Sequence, residues 1–468
     1  MVALREGIAA APPTPASSPG WDALAERRAV GIGALAGARF PTKKNESYRF
    51  TDVSGLLERE YRAAVVGMDV DARAASAVAR LALPEAECAA RVVFVDGVFS
   101  QGLSKLDGTL AGASVGNLEC LPTSELDNLG ALAPSRRGVA AGSKEDAEGD
   151  LFAAVCEAAA TDCAVVVVPD GVALAGVVHV LFLASGAEGS LSAPRLFVRV
   201  GKGAEAAVVE EHVTLASEPA SFLCASLAEC DVAEGGKLAH AYLNAHSKGA
   251  YQVKRTCFQQ AERSELSHVE VTVGGRVSRH NLGLVQVGAS TATRIRSFVL
   301  CGRAQTGDLH SSLTFNHPGG ESSQVHKCIA ADRSSQGVFH GQIRVNRLAQ
   351  RTDAGQLTKS LLLARGASVN VMPNLQIVAD DVACSHGATI ADLNDEEVFY
   401  LRTRGIDEAT ARAALVASFG ADVLADLRTV SPALFARAQV QVAHALADLG
   451  VKALPLAPPS LGPGDASS

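Results

Sequence analysis

Between roughly residues 161 and 391, short strand-like runs alternate with turns, and the turns recur at nearly even spacing. LFVRVGKGAEAAVVEEHV, CDVAEGGKLAHAYLNA, CFQQAERSELSHVEVTVGG and LVQVGASTATRIRSFVLCG each carry a Gly or Ala-Glu break near the middle. The breaks near Gly203, Gly235, Glu262 and Gly288 lie 32, 27 and 26 residues apart. A repeat of that length made of strands points to a β-solenoid, in which each coil buries its inward face against its neighbours. An antiparallel β-sandwich is the alternative that texture alone leaves open.

The flanks read differently. From Trp21 to about Leu57 the pattern is helical and breaks at Pro41; Leu151, Phe152 and Val155 share one side of a short helix over 150–160. VVVVPDG (165–171) is an apolar strand followed by explicit turn chemistry. Past the repeats, Asn394 with Glu397 makes a capping-box-like start, and Gly405 suits a C-terminal cap. Asp407 caps a helix with Ala411, Ala414, Leu415 and Phe419 on one side, and another helix covers about 432–449 after Ser431-Pro432. The expected organisation is a disordered leader or transit remnant over 1–20, a mixed, largely helical region over 21–160, the β core over 161–391, a helical region over 392–452 and a disordered tail over 453–468.

Composition excludes several classes. The 468 residues are 48% hydrophobic and 20% charged, with net charge −8 and no run of five like charges, so no nucleic-acid surface is expected. Ten cysteines are scattered without a C-x-x-C pair, which favours a reducing compartment over a disulfide scaffold. No apolar run approaches the length of a membrane span. Residues 7–21, rich in Ala, Pro and Ser, make a poor secretory core and leave an organelle address or no address open.

The chemistry concentrates near the end of the repeats. Cys384 and His386 stand two apart, so an extended backbone puts both, with Val382, on one face. Both are potential iron or zinc ligands, but two ligands do not close a site. Eight of the twelve histidines fall between 240 and 340, with His310, His317, His326 and His340 densest and Cys328 nearby. They read either as a metal site or as hydrogen-bonded turn residues. Glu210, Glu211 and His212 lack the H-E-x-x-H pattern, and the Gly-Lys pairs at 201–202 and 236–237 lack the rest of a P-loop. No Rossmann fingerprint or nucleophile elbow appears.

The stretch from Asp380 to Ile406, DDVACSHGATIADLNDEEVFYLRTRGI, resembles the signature of SufD, a subunit of the SUF iron–sulfur cluster assembly machinery. ESYRFTDVSGLL (46–57) resembles that family's N-terminal segment, with Tyr48 where Trp is usual. HGQIRVNRLAQRTDAGQLTKSLLL (340–363) and NVMPNLQIVADDVACSHGAT (370–389) resemble it almost throughout. SufB is the nearest competitor, but its usual upstream cysteine is replaced here by the segment from Asn374 to Ile377.

The resemblance implies a right-handed parallel β-helix flanked by helical ends, in a non-enzymatic scaffold. It implies pairing with SufB through the β-helix and with the ATPase SufC through the C-terminal helical region. No cofactor would be held stably alone; iron or an iron–sulfur cluster would pass transiently through the SufB contact. His386 would carry cluster assembly there, while Cys384 is either functional or a structural thiol. His317, with Ser323 and Lys327, matches a spacing seen across the SufB and SufD lineage. The resembling stretches lean toward the plastid and cyanobacterial branch, hence plastid stroma, with bacterial cytoplasm as alternative. The rival functions are an autonomous iron-binding protein, a SufB-like scaffold and a β-helix enzyme acting on polysaccharide.

Overall fold

The computed structural model describes residue 8 and residues 18–63, 68–106, 110–133, 150–216 and 220–451. The expected tail from 453 and, apart from Ile8, the leader up to 17 lie outside the described residues.

The repeats form a parallel β-solenoid of about eight turns, each coil giving one strand to each of two sheets. The antiparallel sandwich is excluded by the pairing itself. Leu227 lies beside Arg255, Arg255 beside Asn281 and Asn281 beside His310, in one parallel register down the stack. One sheet runs from Ser368–Ile377 back to Ala164–Val168, the other from Val382–Ala391 back to Ala173–Ala184.

Six successive coils turn from the first sheet to the second through a residue with left-handed backbone: Gly203, Gly235, Arg263, Ser290, Gly319 and Arg351. These corners stack on one another. The Gly203 N–H donates to the Glu234 carbonyl (2.9 Å), Gly235 to Glu262 (2.8 Å), Arg263 to Ala289 (2.8 Å) and Ser290 to Pro318 (2.9 Å). The turn ladder therefore satisfies backbone groups that a lone turn would leave to water, which offsets the strain of Arg and Ser at positive φ.

Most strands of the stack are covered on both faces, which is why they read as near-continuous apolar runs. Inward side chains such as Val208, Leu238, Leu266, Ile295 and Leu309 make the solenoid core. Outward residues of the first sheet, among them Leu223, Tyr251 and Val253, pack with Phe152 and Val155. Those two belong to helix α3 (Leu151–Ala159), which lies on α1 (Pro19–Gly37); α2 (Met68–Leu81) covers Val93 and Leu181. Helices α4 (Asp395–Thr403), α5 (Glu408–Ala425) and α6 (Pro432–Ala447) follow the solenoid. Val423 and Leu424 of α5 and Leu434 and Val442 of α6 pack with Phe298, Ile329 and Leu361 on the outer face of the second sheet. A Cβ at Gly420 would come within 2.5 Å of the Phe298 ring, so the glycine sets how closely α5 approaches.

The helix ends form much as their residues predict. Asn394 caps α4, accepting from the Glu396 N–H (2.9 Å), one position before the Glu397 of a capping box. Gly405 (φ 84°) ends it in a Schellman turn, with Gly405 N–H on Arg402 and Ile406 N–H on Leu401. Asp407 caps α5 and Ser431 caps α6.

The helical stretch expected from Trp21 to Leu57 stops at Gly37 and continues as two short 3-10 turns, Glu46–Tyr48 and Ser54–Glu58. The region before residue 161 also adds strands to the solenoid. Cys88–Val95 pairs in parallel with Ala173–Ala184 and folds back through Asp96-Gly97 to Val98–Phe99. Ser114–Gly116 pairs antiparallel with Ala164–Val168. Reversed strands thus finish both sheets at this end.

Candidate functional site

The last coil ends the stack. Among the described residues, Val382–Ala391 pairs only with Thr352–Leu362, and Ser368–Ile377 only with Gln336–Val345, so each presents a free edge. Val382 and Cys384 pack against the core from this strand, and alternation puts His386 in the same row. His386 sits in register with Gln356, itself in register with Gln324 one coil earlier. Gln356 is buried; its Nε2 donates to Gln324 Oε1 (2.9 Å), and its own Oε1 has no partner among the described residues. Cys384 is half-buried and His386 exposed, because no further coil covers them. Burial pushes the Cys384 thiol up, so it is no ready thiolate. A thiol facing inward and an imidazole open to solvent on one unpaired edge can together receive a metal brought from outside, with further ligands from a partner.

The remaining candidates lie elsewhere. His317 occupies a corner turn, its backbone N–H bonded to Gln286 Oε1 (2.9 Å). Lys327 faces outward and holds α5: its Nζ donates to the Phe419 carbonyl and to Asp422 Oδ1, both at 2.8 Å. Ser323 meets Arg296. The dense histidine group divides as well. His310 and His340 are in register on one sheet with ring centroids 5.1 Å apart; His326 lies inside, stacked on Phe339 and bonded to Ser297 Oγ (2.8 Å). Among the described residues they do not gather into a ligand set.

The feature that sequence reading missed is a polar belt inside the solenoid. Glu210 accepts from Lys254 Nζ (2.5 Å) and pairs with His212 (2.8 Å), and His240 stands 3.4 Å away. His240 and His268 share a 3.0 Å Nδ1–Nδ1 hydrogen bond, and His280 bonds both Glu270 and Thr256. Burial alone would raise Glu210, but Lys254, His212 and His240 hold it well below the usual carboxylate range. Burial, then the neighbouring His240, His280 and Lys254, keeps His268 far below a normal imidazole. The available signal was polar residues at inward positions of otherwise apolar strands.

Fold and edge together define a two-sheet parallel β-solenoid with helical flanks, closed by reversed strands at one end and carrying a Cys–His pair at the open other. Residues 182–419 match the SufBD core domain of SUF-system FeS cluster assembly, and residues 17–180 match the SufBD N-terminal region. The chain belongs to the SufBD family of SUF-system iron–sulfur cluster assembly proteins.

Three relatives illustrate the likeness. The chain is 44% identical to Protein ABCI7, chloroplastic, of Arabidopsis thaliana over 283 residues, 59% of each chain. An iron–sulfur cluster assembly SufBD family protein of Synechocystis is 32% identical over 86% of this chain and 87% of its own. The Escherichia coli iron–sulfur cluster assembly protein SufD is 28% identical over 83% and 85%.

Proposed function

We propose that this chain is the SufD-type scaffold subunit of a SufB–SufC–SufD complex, without catalytic chemistry of its own, in which iron–sulfur clusters assemble where its open end meets SufB. The observation that carries this reading is the last coil: two free strand edges with exposed His386 in the row of Cys384. Unpaired edges of this kind template pairing with another chain. Iron and sulfide are cargo, and a neutral imidazole can serve either as an iron ligand or as a proton acceptor near neutral pH. The sequence has no P-loop, so ATP hydrolysis falls to SufC.

SufC docks on the helical region after residue 392, where Phe399 and Tyr400 of α4 are 67% and 57% exposed. The chloroplast relative supports the plastid stroma as the place of work; bacterial cytoplasm is the alternative, supported by the cyanobacterial relative.

The test is anaerobic reconstitution with SufB and SufC. His386→Ala should assemble into a complex of unchanged size yet accumulate little iron or sulfide, and wild-type cluster yield in that variant would sink the site. Removing the whole helical region would uncover Phe298, Ile329 and Leu361. Phe399→Glu is the cleaner probe of SufC docking.

A further inference from the structure

A second constellation lies at an inner corner of the winding, unconnected with the open end. His212 is near the end of the strand Glu205–Thr214, Cys224 is near the start of Leu223–Val232, and His246 directly follows Lys237–Ala245. Each side chain offers one ligand atom, and the three atoms lie within 4.8 Å of one another. All three residues are buried, at 0%, 1% and 4% exposure.

The hydrogen bonds around the two rings leave a particular remainder. His212 Nε2 is held by Glu210 Oε1 at 2.8 Å, and Glu210 is itself fixed by Lys254. His246 Nδ1 is held by Thr214 Oγ1 at 3.0 Å, and that hydroxyl also accepts from the Ser247 N–H. A ring donating through one nitrogen presents a lone pair on the other. Those other nitrogens, His212 Nδ1 and His246 Nε2, are buried without a hydrogen-bond partner. An unmatched buried acceptor costs about 1–3 kcal/mol, so two beside one thiol call for an explanation. Gln252 sits against His246 with its Oε1 also unmatched.

We infer that this corner binds one borderline-soft divalent cation, zinc or ferrous iron, through His212 Nδ1, His246 Nε2 and the Cys224 thiolate. Glu210 and Thr214 then act as the outer acceptors that fix ring orientation and tautomer in metal-binding histidines. Gln252 Oε1 supplies an oxygen for a fourth position. Two imidazoles and a thiolate are a donor set that zinc and ferrous iron both accept. Without a cation, burial keeps the Cys224 thiol protonated. Binding therefore breaks the S–H bond, forms the S–metal bond and releases the proton to solvent.

The neighbouring group His268, Glu270 and His280 also lies within 4.8 Å, but His280 already spends both nitrogens on Glu270 and Thr256. At the corner the cation would tie three successive strand segments together and add its binding energy to folding. This inference does not depend on how the open end works.

The full-length chain is produced in medium containing zinc and iron, once in air and once anaerobically, and its metal content is measured after desalting with chelator. One equivalent of zinc or iron per folded chain is expected, and the identity of the metal separates the two cations. Chain produced with cobalt should show a thiolate-to-cobalt charge-transfer band. Cys224→Ala and His246→Gln should each lose the band and the metal, whereas Cys230→Ala should keep both. A folded wild-type chain carrying less than roughly a tenth of an equivalent of any transition metal would overturn the inference. So would retention of the metal in both variants. The wild-type measurement stands even if a variant fails to fold.

Discussion

At one end of the solenoid the strand Ala164–Val168 is buried at every residue; at the other, Val382–Ala391 has no buried residue. Trp21 and Leu24 of α1 pack with Val165 and Val167, and the reversed strand Ser114–Gly116 lies along the edge. One coil later, Arg195 and Glu229 form a fully buried ion pair at 2.7 Å, and Glu229 also accepts the backbone N–H groups of Gly130 and Leu132. Among the described residues the last coil has none of this cover. Repeat folds need their terminal units closed off, and uncovered strand edges are normally blunted. The difference shows that the chain can seal an end, which supports the proposal that the unsealed one receives a partner.

If that contrast is right, side-chain changes should lose effect on the isolated chain's stability from the sealed end toward the open one. Arg195→Ala should cost the most, about 3–5 kcal/mol, because it strands a buried Glu229 carboxylate. Guanidinium unfolding followed by circular dichroism would measure it, and a loss below about 1 kcal/mol would mean that the sealed end is looser than its contacts imply.

Acid comes next. Burial holds His326 down at about 4. The unfolded residue titrates near 6.5, so the neutral folded form is favoured above that pH. Stability is therefore lost as pH falls from 6.5 toward the folded value, by about 2 kcal/mol for this residue between pH 7 and pH 5. His326→Gln should shrink the measured difference between those pH values by that amount, and an unchanged difference would contradict the assignment.

Ile390 on the open edge is 46% exposed. Ile390→Glu should cost the lone chain under about 1 kcal/mol while weakening its association with SufB. A large stability loss with normal association would reverse the proposed roles of the two ends. His386→Ala should be smallest, within about 0.5 kcal/mol on the same unfolding curve. A greater loss would make His386 a structural residue and undercut its use as a site.

The solenoid was legible where its corners carry glycine or a clear turn, as at Gly203 and Gly235. The breaks read near Glu262 and Gly288 fall within two residues of the left-handed corners Arg263 and Ser290, but the corner at Arg351 carries no such local signal, since its strain is offset by the neighbouring coil, which no local window sees. The hairpin around Asp96-Gly97 carries a readable signal, two turn residues between the apolar runs 92–95 and 98–99. Strand alternation was enough to put Cys384 and His386 in one row. Their exposure was not legible, because it depends on the stack stopping there. The polar belt was hidden for a related reason. Glu210 and Lys254 are 44 residues apart and meet only across the interior.

Within each coil the chain runs along one sheet and returns along the other, so the two sheets point in opposite directions. A second solenoid of the same winding hand that meets the open end with its own last coil must be turned over to do so. Turning it about either axis across the stack reverses the strand that comes to lie beside Val382–Ala391. The join is then antiparallel, although the coil-to-coil junctions within this chain are parallel. Antiparallel pairs alternate between hydrogen-bonded sites, with Cα atoms about 5.5 Å apart, and non-hydrogen-bonded sites at about 4.5 Å. Which kind of site falls at residue 386 decides how closely a facing side chain can approach its imidazole.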